Sequence, residues 1–111
     1  MSGVTFLDPG LLDRRAVLEE TAGETDAMGG RPLQWREIGD LSAHLEPVRA
    51  EAGERFDRRE TRLTHRVTIR HREGVRHGMA LRFGQRRLLI REVRDPDERR
   101  RYLVCRCEEE A

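Results

Sequence analysis

Lysine is absent from this chain of 111 residues, and aromatic residues make up only 5% of it. Phe6, Trp35, Phe56, Phe83 and Tyr102 are the full aromatic complement, too few for a broad platform on which nucleobases could stack. Cysteine is limited to Cys105 and Cys107. A disulfide across that spacing in one strand would be strained, and a zinc site would need two further ligands around them, so buried free thiols are expected. Long apolar runs are missing as well, which excludes a membrane-spanning helix, and Met1 to Leu7 has neither the basic nor the apolar part of a secretory leader. Synthesis in a cytoplasm and no membrane partner are expected.

Catalytic groupings are missing too. No Ser-His-Asp order, paired-carboxylate spacing, glycine-rich phosphate loop or helix-borne metal motif is present. His65 and His71 share a strand face but lie six residues apart, about 20 Å at the usual rise, so they cannot share a metal within one subunit. His77 falls in a turn and His44 on an outer face. Neither an enzymatic role nor a metal or cofactor is expected.

Charge, in contrast, is abundant at 39%, against 36% hydrophobic residues. One domain with a thin core follows, and the expectation is that part of the chain relies on neighbouring subunits or stays mobile. All 22 basic residues are arginine, a bias that a GC-rich coding sequence produces unaided; it still makes every cation a planar, permanently charged fork suited to carboxylate or phosphate. The net charge of +1 conceals a segregation. Residues 1–61 hold 8 Arg against 13 acids, residues 62–106 hold 14 Arg against 5, and Glu108, Glu109 and Glu110 follow. The expectation is a charge dipole, which can steer a chain toward nucleic acid and equally suits head-to-tail packing of subunits. The near-zero net charge argues against a free-standing nonspecific DNA binder, and the bland reading places many of the charges on a solvated face.

Periodicity supplies the fold class. Leu63, Val67 and Ile69 alternate with Arg66, Thr68, Arg70 and Arg72; Met79, Leu81 and Phe83 alternate with Ala80 and Arg82; Leu103, Cys105 and Cys107 repeat the pattern. Alternation of this kind means half-buried antiparallel strands. Strands are expected at about 14–20, from 34 or 35 to 46 with a bend near Gly39, and at 63–72, 79–83, 86–93 and 101–108. A helical turn is expected at Leu11 to Asp13, and turns at Glu73-Gly74, Gly84-Gln85 and Asp95-Pro96-Asp97. The class is all-β, a small antiparallel β-barrel or sandwich with long loops and room for one short helix, forming a single domain over 1–111.

Residues 47–62 stand apart. Phe56 is nearly the only large apolar group among many charges there, so the segment cannot bury itself and reads as a projecting loop.

The order of these features resembles a known family. Gly10, Leu12 and Arg14-Arg15 lead into a strand; a Gly-rich loop precedes Trp35; a strand ends in Ala43, Leu45, Glu46 and Pro47; Glu51 or Glu54 follows. Then come Thr64-His65-Arg66-Val67-Thr68-Ile69-Arg70, Arg82-Phe83-Gly84, Leu88, Ile90, Val93-Arg94-Asp95, and finally Leu103, Cys105 and Glu108. Over nearly its whole length the chain looks like the head-tail adaptor, or head-closure (stopper), proteins of tailed bacteriophages and their gene transfer agent relatives. It departs from them at the position before Ile90 where relatives often carry an aromatic, which is Leu88 here.

The resemblance implies a small antiparallel β fold whose copies form a ring at the head-tail interface of a particle assembled in bacteria. The partners implied are a portal or connector protein above, a tail protein below and packaged double-stranded DNA in the channel. Arg49, Arg55, Arg58, Arg59 and Arg62 become candidates for a loop facing that channel, with Glu51, Glu54, Asp57 and Glu60 limiting the attraction. Arg66, Arg70, Arg72 and Glu108 become candidates for subunit contacts. An OB-like or Sm-like nucleic-acid-binding module is the alternative, weakened by the poor aromatic supply.

Overall fold

The computed structural model describes residues 9–22, 34–48 and 63–110. A short 3-10 turn, Pro9–Leu11, leads into six strands: β1 Arg14–Ala22, β2 Gln34–Pro47, β3 His65–Arg70, β4 Ala80–Phe83, β5 Arg86–Arg94 and β6 Tyr102–Glu109. The turn stands two residues before its expected place, and the strands fall close to theirs. Every neighbouring pair is antiparallel, and the order β1-β2-β3-β6-β5-β4 closes on itself. Of the two expected architectures the chain adopts the barrel. Closure removes most of the edge that a six-stranded open sheet would expose, leaving residues 34–42 of β2, which β3 does not reach.

The interior is filled by the alternation read from the sequence. Leu18, Val67, Ile69, Leu81, Leu88, Ile90, Cys105 and Cys107 are the largest side chains fully withdrawn from solvent, and Ala43 leaves room for them. Leu41, Leu45, Val75 and Val93 pack on this cluster while keeping part of their surface in water. The two cysteines are unbridged; burial pushes the Cys105 thiol up to about 12 and the Cys107 thiol up as well, the latter helped by its neighbour.

Two bulges decide which residues face out. On β5 the register skips Arg91, with Ile90 opposite Cys107 and Glu92 opposite Arg106. The extra residue turns Glu92 outward and brings Val93 inward, which accounts for apolar positions spaced 88, 90 and 93 instead of strictly alternating. On β2 the register skips Ile38, with Leu18 opposite Gly39 but Glu19 opposite Glu37. The bend expected near Gly39 is this bulge, and it turns Trp35 and Glu37 to the outside, next to Glu19. Gly39 itself faces the guanidinium of Arg72, whose Nη2 lies 3.4 Å from where a Cβ would stand.

The segregated charge of the sequence is largely folded back on itself, because antiparallel pairing sets the acidic first half against the basic second half. Glu19 meets Arg82 and Arg87, Glu37 meets Arg82, Glu46 meets Arg66, and the last acids meet Arg86, Arg87 and Arg91. A dipole along the chain therefore becomes a wall of short-range ion pairs.

Candidate functional site

The barrel has two ends of different character. One holds the starts of β3 and β5 and the ends of β2, β4 and β6. Here the backbone N–H of Val48 donates to Thr64 at 2.9 Å, closing the neck of the segment 49–62, and Thr64 N–H donates to Cys107 at 2.8 Å. Thr64 Oγ1 accepts from Glu109 N–H at 2.7 Å. Arg86 donates to both oxygens of Glu109 at 2.8 and 3.1 Å, and its Nη2 lies 3.4 Å from His65 Nε2. Burial lowers the His65 pKa, with the Arg86 charge pushing the same way and Glu109 against it. Arg49, Arg55, Arg58, Arg59 and Arg62, the channel-loop candidates, lie outside the described residues.

Between the ends runs the wall. Glu19 lies on the outer face of β1 yet is only 3% exposed, because Arg82 and Arg87 close over it. Arg82 Nε donates to one carboxylate oxygen at 3.0 Å and Arg87 Nε to the other at 2.8 Å, while Arg82 Nη2 reaches Glu37 at 2.8 Å. The Arg87 guanidinium also stands over the Trp35 ring, 5.1 Å from its centre. Burial pushes the Glu19 carboxyl up, but the hydrogen bonds from Arg87 and Arg82 outweigh it and hold the group below the ordinary carboxylate range. This is a satisfied structural cluster, built where the β2 bulge delivers Trp35 and Glu37.

The second end is basic and open. Arg70 ends β3 opposite Tyr102 on β6, and His71 N–H donates to the Arg101 carbonyl at 3.0 Å, tying the chain after β3 to the connection between β5 and β6. Arg70, His71, Arg100, Arg101 and Tyr102 line a solvent-open cleft of about 360 Å³. The connection is shaped by its own aspartates: Asp95 accepts from the backbone N–H of Glu98 at 2.8 Å and of Arg100 at 2.9 Å, and Asp97 accepts from that of Arg99 at 3.1 Å. Glu98 and Arg100 are both left-handed, each at φ 59°. Asp97 also binds the Arg101 guanidinium, and that hydrogen bond, with the Arg99 N–H, holds the Asp97 carboxyl below its usual range.

The four subunit-contact candidates separate. Arg66 is engaged by Glu46 at 3.2 Å, and Glu108 by Arg91 at 2.7 Å. Arg70 makes no side-chain hydrogen bond or ion pair with a described residue, and Arg72, two positions beyond β3 and half-buried, lies over Gly39. Sequence reasoning does not single out Arg99 to Arg101. The signal is the Arg-Arg-Arg run one residue beyond Asp95-Pro96-Asp97, a stretch that reads on its own as turn chemistry only.

A family model described as phage head completion protein matches residues 7–110. No curated protein matches the chain. Among solved structures the chain is similar to one from the virion of a native gene transfer agent (GTA) particle, at 24% identity over 88% of this chain and 94% of that one, with a TM-score of 0.60. At that identity the likeness speaks for a shared fold.

Proposed function

Since the chain belongs to the phage head completion protein family, we propose that copies of it form a ring at the head-tail junction that closes the DNA-filled head and docks the tail. Family membership makes it a structural component of a phage-like particle, and the match over 7–110 is the observation that carries the reading. The neighbours in this proposal are other copies of the chain, a portal or connector protein on the head side, a tail protein on the other, and double-stranded DNA in the channel.

Two features of the barrel support assembly. The wall charges are mostly consumed within the subunit, which favours subunit contact through backbone and through the few open groups. β2 offers such backbone: β3 covers only Ala43–Pro47, so residues 34–42 have a paired strand on the β1 side alone among the described residues. An open edge of that length is a natural place for a neighbour to add a strand. Arg70 and Arg72 remain candidates for charged contacts beside it, and the arginines of 49–62 for contacts with the channel or the next layer.

The OB-like or Sm-like alternative gains nothing from the fold. An OB-fold has five strands, whereas six close this barrel. Trp35 is covered by Arg87, and Phe83 is in the core with Arg14 over its ring. Particles made without this chain test the proposal: heads should fill but leak DNA and lack tails, and supplying the chain in trans should restore both. Filled, tailed particles in its absence would overturn it.

A further inference from the structure

Most described arginines have a partner. Arg70, Arg72, Arg99 and Arg100 do not: none makes a side-chain hydrogen bond, ion pair or ring contact with a described residue, and all four lie at the β3–β6 end. The end is organised nonetheless. The aspartates of the 95–101 connection take up the backbone donors of Glu98, Arg99 and Arg100, and Asp97 takes Arg101. The loop conformation is thereby set by groups other than the free guanidiniums, which stay available to an outside anion. Glu73, Asp95 and Glu98 are the carboxylates there without an ion pair, Asp95 being taken up by backbone N–H groups, and they are fewer than the four arginines they accompany.

A second copy of the chain is a poor source for that anion. Glu19, Glu20, Glu37, Glu46, Glu92, Glu108, Glu109 and Glu110 are already in ion pairs within one subunit. Segments 23–33 and 49–62 are not acidic stretches either, the first holding Glu24 and Asp26 against Arg31, the second five arginines against four acids. Among the described residues only Asp13, Glu73, Asp95 and Glu98 stand outside ion pairs, and the last three share the arginines' own end. An array of guanidiniums with so few open carboxylates in its own kind fits a repeating phosphate chain.

We infer that the β3–β6 end, through Arg70, Arg99 and Arg100, is a contact for the phosphate backbone of duplex DNA. The inference deepens the head-closure reading, on which it rests for where DNA is met. It places the contact about 17 Å along β3 from the neck of the 49–62 segment, five residues at the usual strand rise.

The test is titration of the purified full chain with a short labelled DNA duplex over a series of salt concentrations, for the wild type and three variants. In Arg70→Gln/Arg99→Gln/Arg100→Gln the slope of log affinity against log salt should fall by about 3, roughly 1 for each phosphate no longer neutralised, with affinity down on the order of tenfold or more at moderate salt. Its melting temperature should match wild type, since none of the three holds a partner in the fold. Arg66→Gln/Arg91→Gln, on the paired wall, and replacement of 49–60 by a Gly-Ser linker should keep most of the wild-type slope.

An unchanged slope in the triple variant overturns the inference, as does a wild-type chain with no salt-dependent duplex affinity. A loss confined to the 49–60 replacement overturns it in favour of that segment. A triple variant that binds DNA normally but fails to join heads to tails also overturns it, and makes the end a protein-docking surface. None of these depends on particles made without the chain, the experiment that decides the head-closure reading itself.

Discussion

On the barrel wall Arg82 and Arg87 close over Glu19 and leave it 3% exposed, whereas at the β3–β6 end Arg70, Arg99 and Arg100 reach no carboxylate at all among the described residues. The residue type is the same and the surroundings differ. On the wall, three neighbouring strands bring a carboxylate and two guanidiniums to one spot of low dielectric, so the pairs are held by hydrogen bonds and removing one member strands the rest. At the end, a loop held by its own aspartates carries charges the fold does not use. The wall is where arginine serves stability, and the end is where it is free for something outside the chain.

Changes that reach both regions should cost most. Leu88 is fully buried between β4 and β6, beneath the wall and away from solvent. Leu88→Ala should lose about 3 kcal/mol in chemical denaturation, with the transition of the whole barrel moving together. Separate transitions for the wall and the β3–β6 end would show that the two are not one cooperative unit.

Glu19→Gln should break the wall alone, by about 2 kcal/mol near neutral pH, because two partly buried guanidiniums lose their counter-charge. The folded carboxyl sits below its ordinary value of 4.5, so its stabilising effect is complete above that value and is lost as pH falls through the lower folded one. The gap in stability between wild type and Glu19→Gln should therefore narrow with acidification below about 4.5. A gap independent of pH would mean that the cost is one of packing and not of charge.

At the end the sign should reverse. Arg100 holds a left-handed backbone at φ 59°, which costs a non-glycine residue about 1 kcal/mol. Arg100→Gly should raise stability by up to about 1 kcal/mol while weakening duplex binding. A variant that is both less stable and equally good at binding DNA would place Arg100 in the fold's service after all.

The smallest effect belongs to the interior thiols. Cys105→Val should change stability by less than about 1 kcal/mol, and both thiols should stay silent to a thiol reagent until the barrel unfolds, since burial keeps them protonated.

Period-2 alternation was enough to read five of the strands and the inward set Val67, Ile69, Leu81, Cys105 and Cys107, because a strand's two faces are fixed by local geometry and need no knowledge of the partner. Turn chemistry at Gly84-Gln85 and Asp95-Pro96-Asp97 was legible for the same reason. The all-β class, the thin core, the free buried cysteines and the family resemblance came from local pattern and its order along the chain.

What tertiary structure alone decided depends on residues far apart in sequence. Whether the sheet closes into a barrel turns on β1 meeting β4, a pairing that no local signal announces. The bulges at Ile38 and Arg91 turn Glu37 and Glu92 outward, and they exist only relative to a partner strand. Glu19 lies on the outer face of β1 and is nonetheless buried, because its cover comes from Arg82 and Arg87, more than sixty residues away. Composition could show a basic second half, but cross-strand pairing decided which arginines are spent and which, at the β3–β6 end, are not.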